Sequence, residues 1–324
     1  MNAPPPWQPS AALPILRLRA QLLRAVREFF AARGVLEVDT PALVRHAVTD
    51  RHIESARVQL PGHGATLYLH TSPEYAMKRL LAAGSGDIYQ LAHVFRGEEA
   101  GALHNAEFML LEWYRCGFPM AALMTEVATL CTELLGLPNA PAIEHLRYTE
   151  AFARHLGIDP LDAPLGTLRE RAIAQGLDAP LAGACSRDEL LDWFMGARIG
   201  PALGHHALCF LHHYPAAQAA LARLDPQDPR LALRFELYYQ GVELANGFEE
   251  LIDPLEQRTR FERDQAARAA AGHPQPAIDP LLLAALSAGM PEASGVALGL
   301  DRLLMLRIGA AHIDAVLPFP LARA

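Results

Sequence analysis

The sequence predicts an α+β fold built on an antiparallel sheet flanked by helices. Two strand-like runs, 87–96 (DIYQLAHVFR) and 107–115 (EFMLLEWYR), are joined by a polar loop. Strand character returns at 231–245 (LALRFELYYQGVELA), and near the end GVALGLDRLLMLRIG reads as a strand entering a helix. Segments with apolar residues at helical spacing lie between and around these strands, as helices packed outside a sheet require.

The elements follow in order. Residues 1–14 are Pro-rich and predict a loose arm. Residues 15–33 carry apolar positions at helical spacing, and Gly34 closes that helix as a C-terminal cap would. Val35–Asp39 reads as a strand that Pro41 stops. Residues 67–71 read as a strand, and Ser72-Pro73-Glu74 begins a helix, with Pro and an acid at its first turn. Residues 119–136 predict another helix. The middle, about 140–225, reads as a helical, loop-rich insertion within one domain spanning 15–324, and carries no chemical motif. Residues 255–271 predict a charged helix and 278–289 a short apolar one. No internal repeat is evident.

Composition narrows the function classes. At 324 residues the chain can bury a full core, and its 51% hydrophobic and 20% charged content is ordinary for a soluble globular protein. No stretch is long and apolar enough to span a bilayer, and the opening MNAPPPWQPS lacks the features of a secretory signal, so cytoplasmic residence and no membrane partner are expected. Cys116, Cys131, Cys185 and Cys209 lack zinc-ligand spacing and read as reduced thiols; the pairs His205-His206 and His212-His213 lack a ligand pattern around them. The net charge of −8, with no basic run, argues against a large nucleic-acid partner. Positive charge is almost all arginine, and Lys78 is the single lysine, which reads as compositional bias.

Chemistry concentrates in three segments. FRGEEAGALHNAEFMLLEWYR (95–115) and GVALGLDR (295–302) place two arginines, a His-Asn-x-Glu-Phe run and a close-packed glycine on elements far apart in sequence. Activating a carboxylate with ATP concentrates charge at the α-phosphate, which fixed guanidinium groups and Mg²⁺ stabilise. Arg96 at a strand end can fork onto phosphate oxygens, Arg302 at a helix start can hold the γ-phosphate, Gly299 lets a nucleotide approach the backbone, and Phe108 can stack on adenine. The third segment, FELYYQGVELANGFEE (235–250), contains Glu236 and Glu243. Seven residues apart, they fall on opposite faces of a regular strand unless a bulge or bend near Gly241 brings them together as hard oxygen ligands for Mg²⁺. Asn246 and Glu250 follow, and an acid there can receive a substrate ammonium.

On these residues the chain resembles the class II aminoacyl-tRNA synthetases. FRGEE…HNAEF…LEWYR resembles their motif 2, GVALGLDR their motif 3, and the helix followed by RGVLEVDTPAL their dimer-forming motif 1. FELYYQGVELANGFEEL with TSPEYAMKRLL is similar to the lysine branch. With almost no sequence ahead of motif 1 and no anticodon-binding domain, it looks like the truncated lysyl-tRNA synthetase paralogues, ligases that attach (R)-β-lysine to elongation factor P. The resemblance implies an AMP-forming homodimer that uses ATP and Mg²⁺, takes (R)-β-lysine and elongation factor P as substrates, and acts on no tRNA.

The resemblance also implies residue roles. Arg96 and Arg302 bind the α- and γ-phosphates. Glu98 and Asn105 read and position ATP, with Phe108 on adenine, His104 near the phosphates, and Leu244 and Gly299 beside the nucleotide. Glu236 and Glu243 hold Mg²⁺. Ser72, Pro73, Glu74, Tyr114, Asn246, Glu250 and Ala297 line the amino-acid pocket, with Glu112 near the substrate amine. The chain departs from the family pattern at four places. Gly97 replaces a usual Asn, Glu99 a Gly, Ala106 a common Pro, and Ala297 a Gly. The Ala297 methyl is expected to narrow the pocket for a substrate whose amine sits on the β-carbon. Two rivals remain: a ligase acting on tRNA or another small acceptor, and a non-catalytic, ligand-binding paralogue.

Overall fold

The computed structural model describes Pro5 and residues 7–62, 64–97, 101–138 and 142–324. Among these residues the fold is α+β, with mostly antiparallel sheets flanked by helices. The chain forms two compact units: Met1–Asn139 with Glu250–Ala324, and Ala140–Glu249. No helix of the described residues is long and apolar enough to cross a membrane.

In chain order the first unit contains α1 (Leu13–Ala31), β1 (Leu36–Glu37), β2 (Leu43–Val44), β3 (Arg57–Val58), β4 (Leu67–Leu69), α2 (Glu74–Ala82), β5 (Ile88–Phe95), β6 (Glu107–Cys116) and α3 (Met120–Leu135). The second holds β7 (Ile143–Arg147), α4 (Tyr148–Leu156), α5 (Leu165–Ala174), α6 (Ala179–Ala184), α7 (Arg187–Phe194), β8 (Leu208–Pro215), β9 (Leu231–Tyr239) and β10 (Val242–Glu249). The chain then returns to the first unit with α8 (Pro254–Ala270), α9 (Pro280–Gly289), β11 (Ala293–Gly299) and α10 (Leu300–Arg307).

In the first unit β5, β6 and β11 are antiparallel neighbours, with β1 parallel to β5 at the edge. Because side chains alternate, the two faces of these strands have different tasks. Tyr89 and Trp113 point to one face, where Phe30 of α1 stacks on Tyr89 at 4.4 Å and meets Trp113 edge-on at 5.4 Å. The Trp113 indole also donates to Glu126 of α3 at 3.1 Å. That face is closed by helices. The other face carries Gln90, Ala92 and Val94, then Phe108, Leu110, Glu112 and Tyr114, then Gly295, Ala297 and Gly299, in register across three strands. Every predicted ligand residue on β6 and β11 lies on this second face.

The middle segment is richer in strands than the sequence predicts. Besides four helices it contains β7 and β8, which pair in parallel. β8 (LCFLHHYP) is a nearly unbroken apolar run followed by two histidines, and such a run carries no period-2 signal. β7 (IEHLR) is short and mostly exposed. The strand character predicted at 231–245 resolves into a hairpin: β9 and β10 turn at Gln240-Gly241, with φ of 50° and 75°. Two consecutive positive φ values suit a two-residue hairpin turn. A Cβ at Gly241 would lie 2.7 Å from the Pro201 carbonyl oxygen, so glycine is demanded there twice over.

Candidate active site

The first unit assembles a pocket of acids. Glu74 opens α2, where its backbone N–H is received by the Ser72 hydroxyl at 2.9 Å. That hydroxyl donates to Glu112 Oε2 at 2.7 Å, and the Tyr114 hydroxyl donates to Glu112 Oε1 at 2.7 Å. Lys78, one helical turn after Glu74, reaches Glu74 at 2.8 Å and Glu250 Oε2 at 2.6 Å. The other oxygen of Glu250 faces Gly295. A Cβ at Gly295 would stand 2.6 Å from that oxygen and 2.3 Å from the Tyr114 ring. Glu250 is tied to β11 by its backbone N–H, which donates to the Ala293 carbonyl at 2.9 Å. Pro73 is buried at the head of α2.

Burial sets the electrostatics of this pocket. It pushes the Glu112 carboxyl up to about 8, with the nearby Glu74 charge adding to the effect and the Ser72 and Tyr114 hydrogen bonds opposing it. Burial likewise raises Glu250 to about 7, and Lys78 opposes that rise. Burial works against the Lys78 charge as well, yet the Glu250 and Glu74 carboxylates hold its pKa above the ordinary lysine value. The Tyr114 phenol is raised well above its ordinary value by burial and the surrounding acids, so it remains a hydrogen-bond donor. Desolvated carboxylates that resist ionisation when empty are suited to receiving ammonium groups.

The predicted nucleotide residues of this unit gather at the other end of the same face. Arg96 closes the β5–β6 hairpin, its N–H donating to the Ala106 carbonyl at 2.9 Å, and its guanidinium lies 5.1 Å from the centre of the Phe108 ring. Gly97 donates to the Glu54 carbonyl at 3.0 Å; a Cβ there would make only ordinary contact at 3.5 Å, so space does not require glycine. Arg302 donates to the Leu103 carbonyl at 3.2 Å and hydrogen-bonds His104 Nε2, which ties the motif 3 helix to the motif 2 loop. Asn105 braces the same loop, donating to the Glu107 carbonyl at 2.6 Å and accepting from Leu321 N–H at 3.1 Å. Gly299 ends β11 opposite Leu110. Ala297 lies opposite Glu112 and, with Phe108, packs on Ala92, Val94 and Leu110. Glu98 and Glu99 lie outside the described residues.

In the second unit the hairpin settles the question of faces. Glu243 is the cross-strand partner of Tyr238, which lies two residues from Glu236, so Glu236 and Glu243 share a face. The chain reversal at 240–241 brings them together. The register then steps from Glu243↔Tyr238 to Ala245↔Leu237, leaving Leu244 unmatched. This bulge moves Asn246 onto the same face, opposite Glu236. Asn246 Oδ1 is buried without a hydrogen-bond partner among the described residues, an acceptor aimed where a ligand donor could sit. Glu236 accepts from the Tyr238 hydroxyl at 2.7 Å and from Arg234 at 2.5 Å. A carboxylate offers about four lone-pair sites, so Glu236 keeps acceptor capacity beyond these two bonds. With Glu243 it fits Mg²⁺, which takes one or two carboxylates and completes its octahedron with water and phosphate oxygens.

The family model for tRNA synthetases class II (D, K and N) matches residues 9–323. The chain belongs to this family. Three curated relatives, each named elongation factor P–(R)-β-lysine ligase, agree along almost their whole length. The protein of Edwardsiella ictaluri is 50% identical to this chain, that of Erwinia tasmaniensis 51%, and that of Vibrio cholerae 48%, each over 98% of both chains. Among class II synthetases of the D, K and N group, the chain is therefore similar to proteins named as ligases for a translation factor.

Three residues outside the predicted set make contacts within these units. Lys78 stands out in the sequence as the single lysine, and its position four after Glu74 on a helix signals pairing. Asp301 immediately precedes Arg302. It is 1% exposed, accepts from Met109 N–H at 2.7 Å, and forms an ion pair with Arg19 of α1, so that one carboxylate joins elements of all three motifs. Arg234, which donates to the Gln218 carbonyl at 2.7 Å and lies over the Tyr214 ring at 4.3 Å, could have been read from its alternation with Glu236.

Proposed function

We propose that this chain is an AMP-forming ligase that activates (R)-β-lysine with ATP and transfers it to a lysine ε-amine of elongation factor P. The observation that carries the reading is the buried Glu112, Glu250 and Tyr114 with the half-buried Glu74 beside them, together with about 50% identity over 98% of relatives bearing that name. In the first step the β-lysine carboxylate attacks the α-phosphorus, the bond to the β-phosphate oxygen breaks, and pyrophosphate leaves. In the second the acceptor amine attacks the adenylate carbonyl, an amide forms, AMP leaves, and the amine gives up a proton.

Each group has a task in this scheme. Arg96 neutralises charge at the α-phosphate and Arg302, with His104, at the γ-phosphate. Phe108 supports adenine, Gly299 and Leu244 lie beside the nucleotide, and Glu98 and Asn105 read and position ATP. Glu236 and Glu243 would hold Mg²⁺, which when bound supplies positive charge to the departing pyrophosphate. Glu250 and Tyr114 receive the side-chain ammonium, while Glu74, Glu112 and Asn246 receive the amine near the carboxylate; Ser72 and Pro73 hold that wall in place. No enzyme nucleophile is required, because the acceptor meets a carbonyl that is already activated and positioned.

Homodimerisation through the motif 1 element belongs to the same reading. It is supported by Leu36, 55% exposed on the edge strand β1. A cytoplasmic location and indifference to tRNA complete the proposal. The test is intact-mass spectrometry of the organism's own elongation factor P after incubation with the chain, ATP, Mg²⁺ and (R)-β-lysine, with α-lysine and a lysine tRNA in parallel. A gain of one lysyl unit on the factor, greatest with the β-isomer, is the expected result. Charged tRNA with an unmodified factor would overturn the proposal.

A further inference from the structure

The positively charged residue in the acid pocket is assigned no part by the family resemblance or by the scheme above. We infer that Lys78 is a specificity-setting positioning residue. Fixed between Glu74 and Glu250, it cancels one of the pocket's three carboxylate charges and so matches the site to an amino acid with two ammonium groups. This inference rests on the proposed activation of β-lysine and deepens it.

Lys78 is 1% exposed and is the single lysine in the chain. Its amine lies 2.8 Å from Glu74 Oε1 and 2.6 Å from Glu250 Oε2. The charged and titratable groups around it are Glu74 on its own helix, Glu112 and Tyr114 on β6, and Glu250. Once incoming ammonium groups draw the acids into their ionised form, one lysine ammonium against three carboxylates leaves two negative charges for the ligand. A diamino acid supplies two ammonium groups, and its carboxylate goes to the reacting phosphate. An amino acid with one ammonium leaves a buried carboxylate uncompensated, which is costly.

Geometry gives Lys78 a second task. It engages Oε2 of Glu250 while the other oxygen faces Gly295 and the space beside Tyr114. A carboxylate held by one oxygen has a set plane, so its second oxygen has a set direction. Packing alone does not require a charge here. Met77 and Leu81 on the same helix are buried apolar residues, and a buried ion pair contributes little net stability relative to apolar side chains of similar volume. Without Lys78, Glu250 would lose the adjacent cation that opposes the effect of burial and would present a neutral acid to the substrate.

The test is amino-acid-dependent ATP–pyrophosphate exchange by the full chain as wild type, Lys78→Met and Lys78→Gln, between about pH 6.5 and 9.5. The expected result for both variants near neutrality is a KM for (R)-β-lysine raised about tenfold or more. The KM for ATP and kcat should stay near wild type, and the lysine penalty should shrink as pH rises and the acids ionise. Discrimination between (R)-β-lysine and the single-ammonium analogue (R)-3-aminoheptanoate should fall. Three results would overturn the inference: an unchanged KM for lysine, equal losses in both KM values and kcat at every pH, or variants too unstable to assay. No exchange by the wild type would instead overturn the β-lysine reading beneath it.

Discussion

Replacing Gly295 with alanine adds one methyl group at the tightest point of the pocket. The added Cβ would lie 2.3 and 2.4 Å from two Tyr114 ring carbons and 2.6 Å from Glu250 Oε1. Ordinary contacts begin near 3.4 Å, so the ring must retreat by roughly 1 Å, and carbon–carbon contacts of this kind are comfortable only at about 3.5–4 Å. Tyr114 is 2% exposed and has little room to retreat. Moving it stretches the 2.7 Å hydrogen bond to Glu112 and turns Glu250 away from the space it faces. Overpacking of this type costs about 1–3 kcal/mol, and a lost charge-assisted hydrogen bond adds about 1.5–3 kcal/mol to the binding deficit. Since about 1.4 kcal/mol is tenfold, the KM for the amino acid should rise roughly 10- to 100-fold. The KM for ATP should change little, because Arg96, Phe108 and Arg302 do not touch the added methyl. Pyrophosphate exchange measured against each substrate checks this. A lysine KM within about threefold of wild type would show that Tyr114 and Glu250 do not form the ammonium site.

Glu112, held near 8, should make lysine binding improve as pH rises towards that value, because only its ionised form receives an ammonium; Glu112→Gln should flatten the profile of KM against pH. The sign for stability is opposite. A carboxylate raised from about 4.5 to about 8 by folding weakens the empty protein as pH rises through that window, so Glu112→Gln should raise Tm at alkaline pH. Asp301→Asn keeps an acceptor for Met109 but discharges the Arg19 ion pair; it should cost about 3 kcal/mol in urea unfolding and lower kcat through the neighbouring Arg302. Ala297→Gly should increase exchange with α-lysine, and no gain would remove this methyl as a cause of β-preference.

The first unit was largely legible because local rules and tertiary packing agree there. Leu111 and Trp113 alternate with Glu112 and Tyr114, and the predicted limits of β5 and β6 differ from the observed ones by a residue at most. The contact among the acids was not legible. It depends on Glu250, remote in sequence from Glu74 and Glu112, being held by its backbone to Ala293. Period-2 counting alone does not place Glu236 and Glu243 on one face; the bend near Gly241 left open in the sequence is a full chain reversal at Gln240-Gly241. The Leu244 bulge was equally hidden, since a single extra residue changes the face of Asn246 without altering its surroundings in the sequence. Asp301 was overshadowed by Arg302: its partners, Arg19 and the Met109 N–H, are distant in sequence, and one of them is backbone.

Aminoacyl adenylates that escape into solution acylate any accessible primary amine. This chain offers them no lysine side chain on its surface: its one ε-amine is buried and protonated between two acids, and its arginines carry guanidinium groups that stay protonated and do not act as nucleophiles. A catalyst that joins an amino acid to lysine is thus chemically unlike its own substrate. Prolonged turnover without elongation factor P should leave its side chains free of lysyl adducts by peptide mass mapping, whereas an Arg24→Lys variant, with an amine on the outer helix α1, should accumulate them.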